Sequence, residues 1–260
     1  MTRRTAQRNG RGSRYLDSMT NDTTSDGLID VRRAGERFHT TISWLDSWHS
    51  FSFSGHYEPA NTHHGLLLVN NDDRVAPAAG FGTHGHQNME IVTWVLSGEL
   101  EHHDSTGNGG IIVPGLAQRM SAGRGIRHSE MNPSPDTEVH FLQMWVLPDT
   151  DGIDPGYEQR DLTPQLAAGG LVPIASGQGH DGAVRIHQSG AVLWGGRLAA
   201  GETAVVPDVA FAHVFVAVGG ATLEGPGALD TGDAARLTGA GARTLTADDR
   251  GAEVLIWATD

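Results

Sequence analysis

Short apolar runs broken by glycine and proline recur along most of this chain, and sustained helical periodicity is scarce. The 35 glycines and 11 prolines supply the breaks, and this patterning predicts an all-β sandwich or barrel. Strands are expected at 66–69, 90–96, 100–103, 111–113, 139–147, 184–187, 192–198, 214–218 and 254–257. Helix is a minor component, with one short turn predicted at 44–48. The first 27 residues carry no such runs and read as a flexible, arginine-rich tail.

The stretch 150–170 interrupts the rhythm with Asp-Gly, Asp-Pro-Gly and Thr-Pro steps and reads as a connecting segment. It divides an N-terminal domain, 28–149, from a C-terminal one, 171–260. An internal echo supports the division. Gly98 follows a strand and Pro114-Gly115 opens another seventeen residues later; Gly220 and Thr231-Gly232 stand at matching places in the second half.

Composition then narrows the chemistry. No cysteine is present, so disulfides, thiolate nucleophiles and zinc–thiolate sites are all excluded. Every one of the 18 basic residues is arginine, which removes Schiff-base and lysine-base catalysis. A net charge of −13 argues against nucleic acid or an anionic membrane as partner of the folded body. Neither a secretory segment nor an apolar run of membrane-spanning length stands in the sequence, and the expected location is the cytoplasm.

Two pairs of polar residues stand out from this background: His84-x-His86 and His128-x-Glu130. Alternate residues of a strand project to one face, so each pair presents both its groups together. Two such strands can bring three imidazoles and a carboxylate to one point, a nitrogen and oxygen donor set suited to Fe, Mn, Ni, Co or Cu. Glu90, an even four residues after His86, stays on the same face if the strand runs on. The adjacent pairs His63-His64 and His102-His103 face opposite ways on a strand and read as solvated or hydrogen-bonded. In the second half, the offsets of His84, His86, His128 and Glu130 from the repeated glycines land on Val206, Asp208, Leu245 and Ala247. No ligand type recurs there, which predicts a metal-free second domain whose His180, His187 and His213 are structural or exposed.

The run from Gly82 through Gly110, containing His84-Gly-His86-Gln-Asn-Met-Glu90, resembles the first cupin motif of the pirin family. The run Pro114-Gly115 through Met120-Ser-Ala-Gly-Arg-Gly-Ile-Arg-His128-Ser-Glu130-Met-Asn-Pro133 resembles the second. Trp44 to Phe53 and Tyr157-Glu-Gln159 also resemble the family, which the chain matches most clearly over 28–160. The resemblance implies a bicupin of two jelly-roll-type β-barrels facing each other, the N-terminal one holding a single divalent metal, usually iron(II). It implies His84, His86, His128 and Glu130 as the four ligands, with Glu90 at the pocket edge or as an alternative ligand. Trp94, Leu96, Ile112, Phe141, Met144 and Trp145 are expected in the barrel core or domain interface. Of His140 and Gln143, on a late strand, one can face the pocket. Arg124 and Arg127 flank the ligand strand, where they either orient an anionic substrate or stay solvated.

Resemblance to bacterial pirins further implies a quercetin 2,3-dioxygenase-type oxidoreductase that cleaves a flavonol with O₂ and releases carbon monoxide. Glu130 or Glu90 would serve as the catalytic carboxylate that accepts the substrate's hydroxyl proton. The alternative is a non-enzymatic, redox- or metal-responsive regulatory protein whose iron site alters a protein-partner surface.

Overall fold

The computed structural model describes residues 27–260; apart from Gly27, the tail expected at 1–27 lies outside the described residues. In chain order the first strands are β1 (Leu28–Arg32), β2 (Phe38–Thr41), β3 (Leu45–His49), β4 (Leu67–Val75), β5 (Gly80–His86) and β6 (Glu90–Ser97). Next come β7 (Leu100–Asp104), β8 (Gly109–Ile112), β9 (Leu116–Ser121), β10 (Ile126–Met131), β11 (Val139–Val146) and β12 (Gly156–Asp161). After one short helix, α1 (Thr163–Ala167), follow β13 (Val172–Ser176), β14 (Val184–Arg185), β15 (Ala191–Leu198) and β16 (Thr203–Val206). The last four are β17 (Phe211–Leu223), β18 (Gly227–Asp230), β19 (Ala234–Thr238) and β20 (Arg243–Thr259). The fold is all-β, with two cupin barrels in one chain.

Two sheets make the first barrel: a seven-stranded one in the order β12-β9-β6-β11-β4-β3-β2, and a four-stranded one in the order β5-β10-β7-β8. The second barrel is one nine-stranded sheet that closes because β17 and β20 bend across it. Register shifts at Val216/Val218 and Gly219/Ala221 supply the bend, as bulges do in other barrels. Gly98 and Gly219 both sit at φ 78, so the glycine that echoes Gly98 is one residue earlier than the sequence alignment places it. At each, an added Cβ would meet a carbonyl oxygen, of Glu138 or of Gly251, at under 3 Å.

Two elements differ from the sequence expectation. The turn expected at 44–48 is strand β3, paired on both sides by β2 and β4; Leu45, Ser47 and His49 alternate inward with period two, which overrides the local turn residues. Strand β1, at the start of the first domain by sequence, pairs with β19 of the second barrel. Within the segment 150–170, β12 adds to the edge of the first barrel through β9.

Strands β6 and β11 are buried on both faces, which is why they read as unbroken apolar runs. On one face Val95 and Phe141 fill the first barrel. On the other, Val92, Trp94, Leu142, Met144 and Val146 pack with Ile174, Leu193, Phe215, Leu255 and Trp257 in a core shared by the two barrels. No helix among the described residues is long and apolar enough to cross a membrane.

Candidate metal centre

Strand β10 lies between β5 and β7, with His128 opposite His84 on one side and Asp104 on the other. Glu130 stands opposite Phe81 and His102, after a register shift next to His128. The three imidazoles of His84, His86 and His128 form a triangle with ring centroids 4.4, 4.9 and 4.9 Å apart. Donor atoms of His84, His86 and His128 lie within 4.8 Å of one another, as do those of His102, His128 and Glu130. The three histidines thus form one group, and Glu130 joins it through the shared His128.

Hydrogen bonding leaves the converging atoms free. His84 Nδ1–H donates to the Gly82 carbonyl at 2.8 Å, so its Nε2 carries a lone pair. His86 Nε2 and His128 Nε2 are buried with no hydrogen-bond partner, a costly arrangement for a ring nitrogen unless something else is bound there. Gln143 Oε1 accepts from Trp145 Nε1–H at 3.1 Å, which turns its amide Nε2 to donate to Glu130 Oε2 at 2.7 Å. Only one Glu130 oxygen is thereby committed.

Electrostatics agrees with this picture. Burial, with His84 adding a smaller effect, lowers the His86 pKa to about 4. Burial first, then His84 and His86, lowers His128 to about 2. Both rings are neutral at pH 7, the state a metal ligand requires. Burial pushes the Glu130 carboxyl up to about 7, the Gln143 hydrogen bond working against it. A carboxylate held in such a place without a cation is unfavourable, and a divalent ion would relieve it. The donor set fits a metal ion.

A cavity of ≈ 410 Å³ opens beside these donors, within the size range of small-molecule sites. His84, His86 and Glu130 face it from the four-stranded sheet, and Trp44, Phe53, Phe81 and Trp145 give it aromatic walls. Trp145 meets His86 edge-on at 5.0 Å and Phe53 at 5.5 Å, so it serves the cavity instead of the core position expected from sequence. Trp94, Ile112, Phe141 and Met144 are buried as expected.

Glu90 goes elsewhere. Strand β5 ends at His86, and β6, which starts at Glu90, belongs to the other sheet; between them Asn88 turns the chain at φ 49. The condition of an unbroken strand fails, and Glu90 takes the face of Val92 and Trp94, toward the second barrel. There its Oε2 accepts from Ser121 Oγ at 2.9 Å and from the His187 backbone N–H at 3.1 Å. Arg124, exposed, is paired with Asp154, and His140 is bonded to Asp72 at 2.6 Å, so that of His140 and Gln143 it is Gln143 that lines the cavity.

Sequence reasoning missed His102. It is fully buried, its Nδ1 lies 3.4 Å from His128 Nδ1, and its ring stacks on Tyr157 at 4.8 Å. Its signal was the alternation Leu100-x-His102-x-Asp104, which puts it on the inward face with Leu100.

The second barrel keeps the geometry and loses the donors. Strand β16 pairs with β20 as β5 does with β10, Ala204 standing opposite Leu245 and Val206 opposite Arg243. Strand β20 pairs with β17 as β10 does with β7, Leu245 opposite Leu223 and Ala247 opposite Ala221. Ala204, Val206, Leu245 and Ala247 thus occupy the places of His84, His86, His128 and Glu130, two residues off the sequence alignment for the first pair. All four, with Ala221 and Leu223, belong to one apolar core.

Fold and site together define a two-barrel β protein whose grouped nitrogen and oxygen donors suited to a metal lie, among the described residues, in the first barrel. Residues 30–146 match the family model described as Pirin, and 173–257 that described as the quercetinase C-terminal cupin domain. A protein of Mycobacterium tuberculosis, whose name provisionally assigns it quercetin 2,3-dioxygenase activity, is 58% identical over 88% of this chain and 94% of its own. One of Escherichia coli K12 named quercetin 2,3-dioxygenase is 46% identical over 62% of this chain and 68% of its own. The crystal structure of bacterial pirin YhhW from Escherichia coli in complex with nickel(II) superposes with a TM-score of 0.82 at 38% identity, covering 89% of this chain and 99% of that one. The chain belongs to the pirin family.

Proposed function

We propose that this pirin is a metal-dependent dioxygenase that opens a flavonol-type aromatic ring with O₂. The observation that carries the reading is the juxtaposition of a triangle of three histidines, with Glu130 grouped on His128, and a cavity of ≈ 410 Å³ with aromatic walls that His84, His86 and Glu130 also line. The names of the relatives support it. We assign His84, His86, His128 and Glu130 as the residues that hold one divalent ion, iron(II) by family habit, with Mn, Ni, Co or Cu also compatible with the donors. When bound, the ion supplies Lewis acidity toward the substrate hydroxyl and redox access to O₂.

The protein's own groups have separate tasks. Trp145, Phe53 and Phe81 hold a flat ring system against the donors and exclude water. Gln143 fixes the orientation of Glu130 through its hydrogen bond. Glu130, which lines the cavity, is the carboxylate that accepts the proton of the substrate hydroxyl. In the overall reaction both oxygen atoms enter the products: the ring-opened depside and carbon monoxide. No external reductant is required.

The test is direct. Bound metal is quantified in purified protein, and quercetin loss and O₂ uptake are followed under air for wild type and His84→Ala. Turnover that needs both the metal and His84 is the expected result. A fully metal-loaded wild type that consumes neither quercetin nor O₂ overturns the assignment.

A further inference from the structure

The cavity has a second polar wall that the proposed chemistry leaves unused. It lies on the seven-stranded sheet, facing the donors on the four-stranded one. Cross-strand pairing sets Ser47 opposite Asp73 and His49 opposite Asn71, and all four side chains line the cavity. His49 and Asn71 satisfy each other at 2.9 Å, and His49 Nε2 meets Thr40 Oγ1 at 3.0 Å. That half of the wall is satisfied, and His49 Nδ1 also lies 3.4 Å from Ser47 Oγ.

Asp73 is different. It is 3% exposed, and among the described residues its side chain takes a hydrogen bond from Ser47 Oγ alone. No arginine or histidine pairs with it among the described residues; the charged groups that act on it, Asp72 and Glu130, share its sign. Burial, opposed by Ser47 and reinforced by those two carboxylates, raises its pKa to about 7. A carboxyl in this position is a poor stabilising element, because burying one without a cation or a full set of donors costs several kcal/mol on the order of. Packing alone favours an apolar side chain there, like Phe141 beside it in the sheet. What suits the site is a ligand hydroxyl, which offers the missing donor to the carboxylate that Ser47 holds in place, or accepts from Asp73 when that carboxyl is protonated.

We propose that Asp73 and Ser47 form a hydroxyl-binding pole that selects aromatic ligands bearing a phenolic hydroxyl on the part of the molecule turned away from the His–Glu donors. The ligand then spans the cavity between two polar walls, its rings held by Trp145, Phe53 and Phe81. The proposal rests on the reading of this cavity as a substrate site. It adds the requirement that the substrate be polyhydroxylated, so that a single hydroxyl next to the donors does not suffice.

The pole is tested with ligands that lack the 3-hydroxyl, using metal-free protein so that no ligand oxygen is held by a metal. Flavone and 5,7-dihydroxyflavone are titrated against wild type, Asp73→Asn, Asp73→Leu and Ser47→Ala, with quenching of Trp44 and Trp145 fluorescence as readout. Wild type is expected to prefer the dihydroxyflavone by about tenfold or more, the discrimination of one well-made hydrogen bond to a buried acid. Asp73→Leu abolishes the preference while still binding flavone, and Ser47→Ala reduces it. Metal content after reloading and melting temperature show that each variant folds. Equal preference in wild type and Asp73→Leu overturns the proposal, as does failure of wild type to bind either compound. Quercetin turnover by metal-loaded wild type is a separate reading: protein that discriminates the two flavones but consumes no O₂ keeps the pole and loses the dioxygenase assignment.

Discussion

Replacing Glu130 by Gln should stabilise the metal-free protein and weaken the metal-loaded one. The Glu130 carboxyl is buried, and its pKa rises from 4.5 to about 7 on folding. A folded-state pKa above the unfolded one means stability that is complete below pH 4.5 and lost as the pH climbs through 7. At about 1.4 kcal/mol per pH unit, the ionised side chain costs the metal-free fold about 3 kcal/mol at pH 8 and about 1 kcal/mol at pH 5.5. Gln carries no charge at either pH, and its side-chain oxygen can still accept the Gln143 hydrogen bond. Urea denaturation in the presence of a chelator, at pH 5.5 and 8, should therefore show Glu130→Gln gaining more over wild type at the higher pH. With iron(II) or nickel(II) added, wild type should overtake the variant, since ligand binding to the native state adds its own stability. A metal-free variant no more stable than wild type at pH 8, or an advantage that shrinks as the pH rises, would refute the claim that this carboxylate is held at a cost for the metal.

The remaining expectations follow from the same geometry. His128→Ala, which removes the most buried of the three imidazoles, should abolish stoichiometric metal by elemental analysis, whereas Glu90→Gln should retain it. Because Glu130 protonates near 7 while His86 and His128 stay neutral down to about 4 or below, metal affinity should fall as the pH drops below 7. Glu130→Gln should weaken that dependence; a variant whose metal affinity falls as steeply as that of wild type between pH 7 and 5 would contradict it. In the second barrel, Leu245→Ala should lower the unfolding free energy by about 2–5 kcal/mol through cavity formation and leave metal content untouched.

Much of this was legible in the chain. The i, i+2 spacing placed His84 with His86 and His128 with Glu130 because alternation along a strand is a local property. Absence of cysteine confined the donors to nitrogen and oxygen, and the offsets from Gly232 pointed to apolar residues at the matching places of the second half. Leu245 and Ala247 indeed lie in apolar core.

Tertiary structure decided what depends on which strands meet. Glu90 was misjudged because a three-residue turn after His86 passes the chain from one sheet to the other, and no periodicity carries across it. On strands β6 and β11, buried on both faces, apolar residues stand on both sides, so sequence could not say that Gln143 and Trp145 look into the cavity while Glu90 looks into the domain interface. Asp73 joined the site through its pairing with Ser47, 26 residues away in the chain, and His102 through its pairing with Glu130. Periodicity fixes which residues of a strand share a face; only the closing of the sheets fixes what that face looks upon.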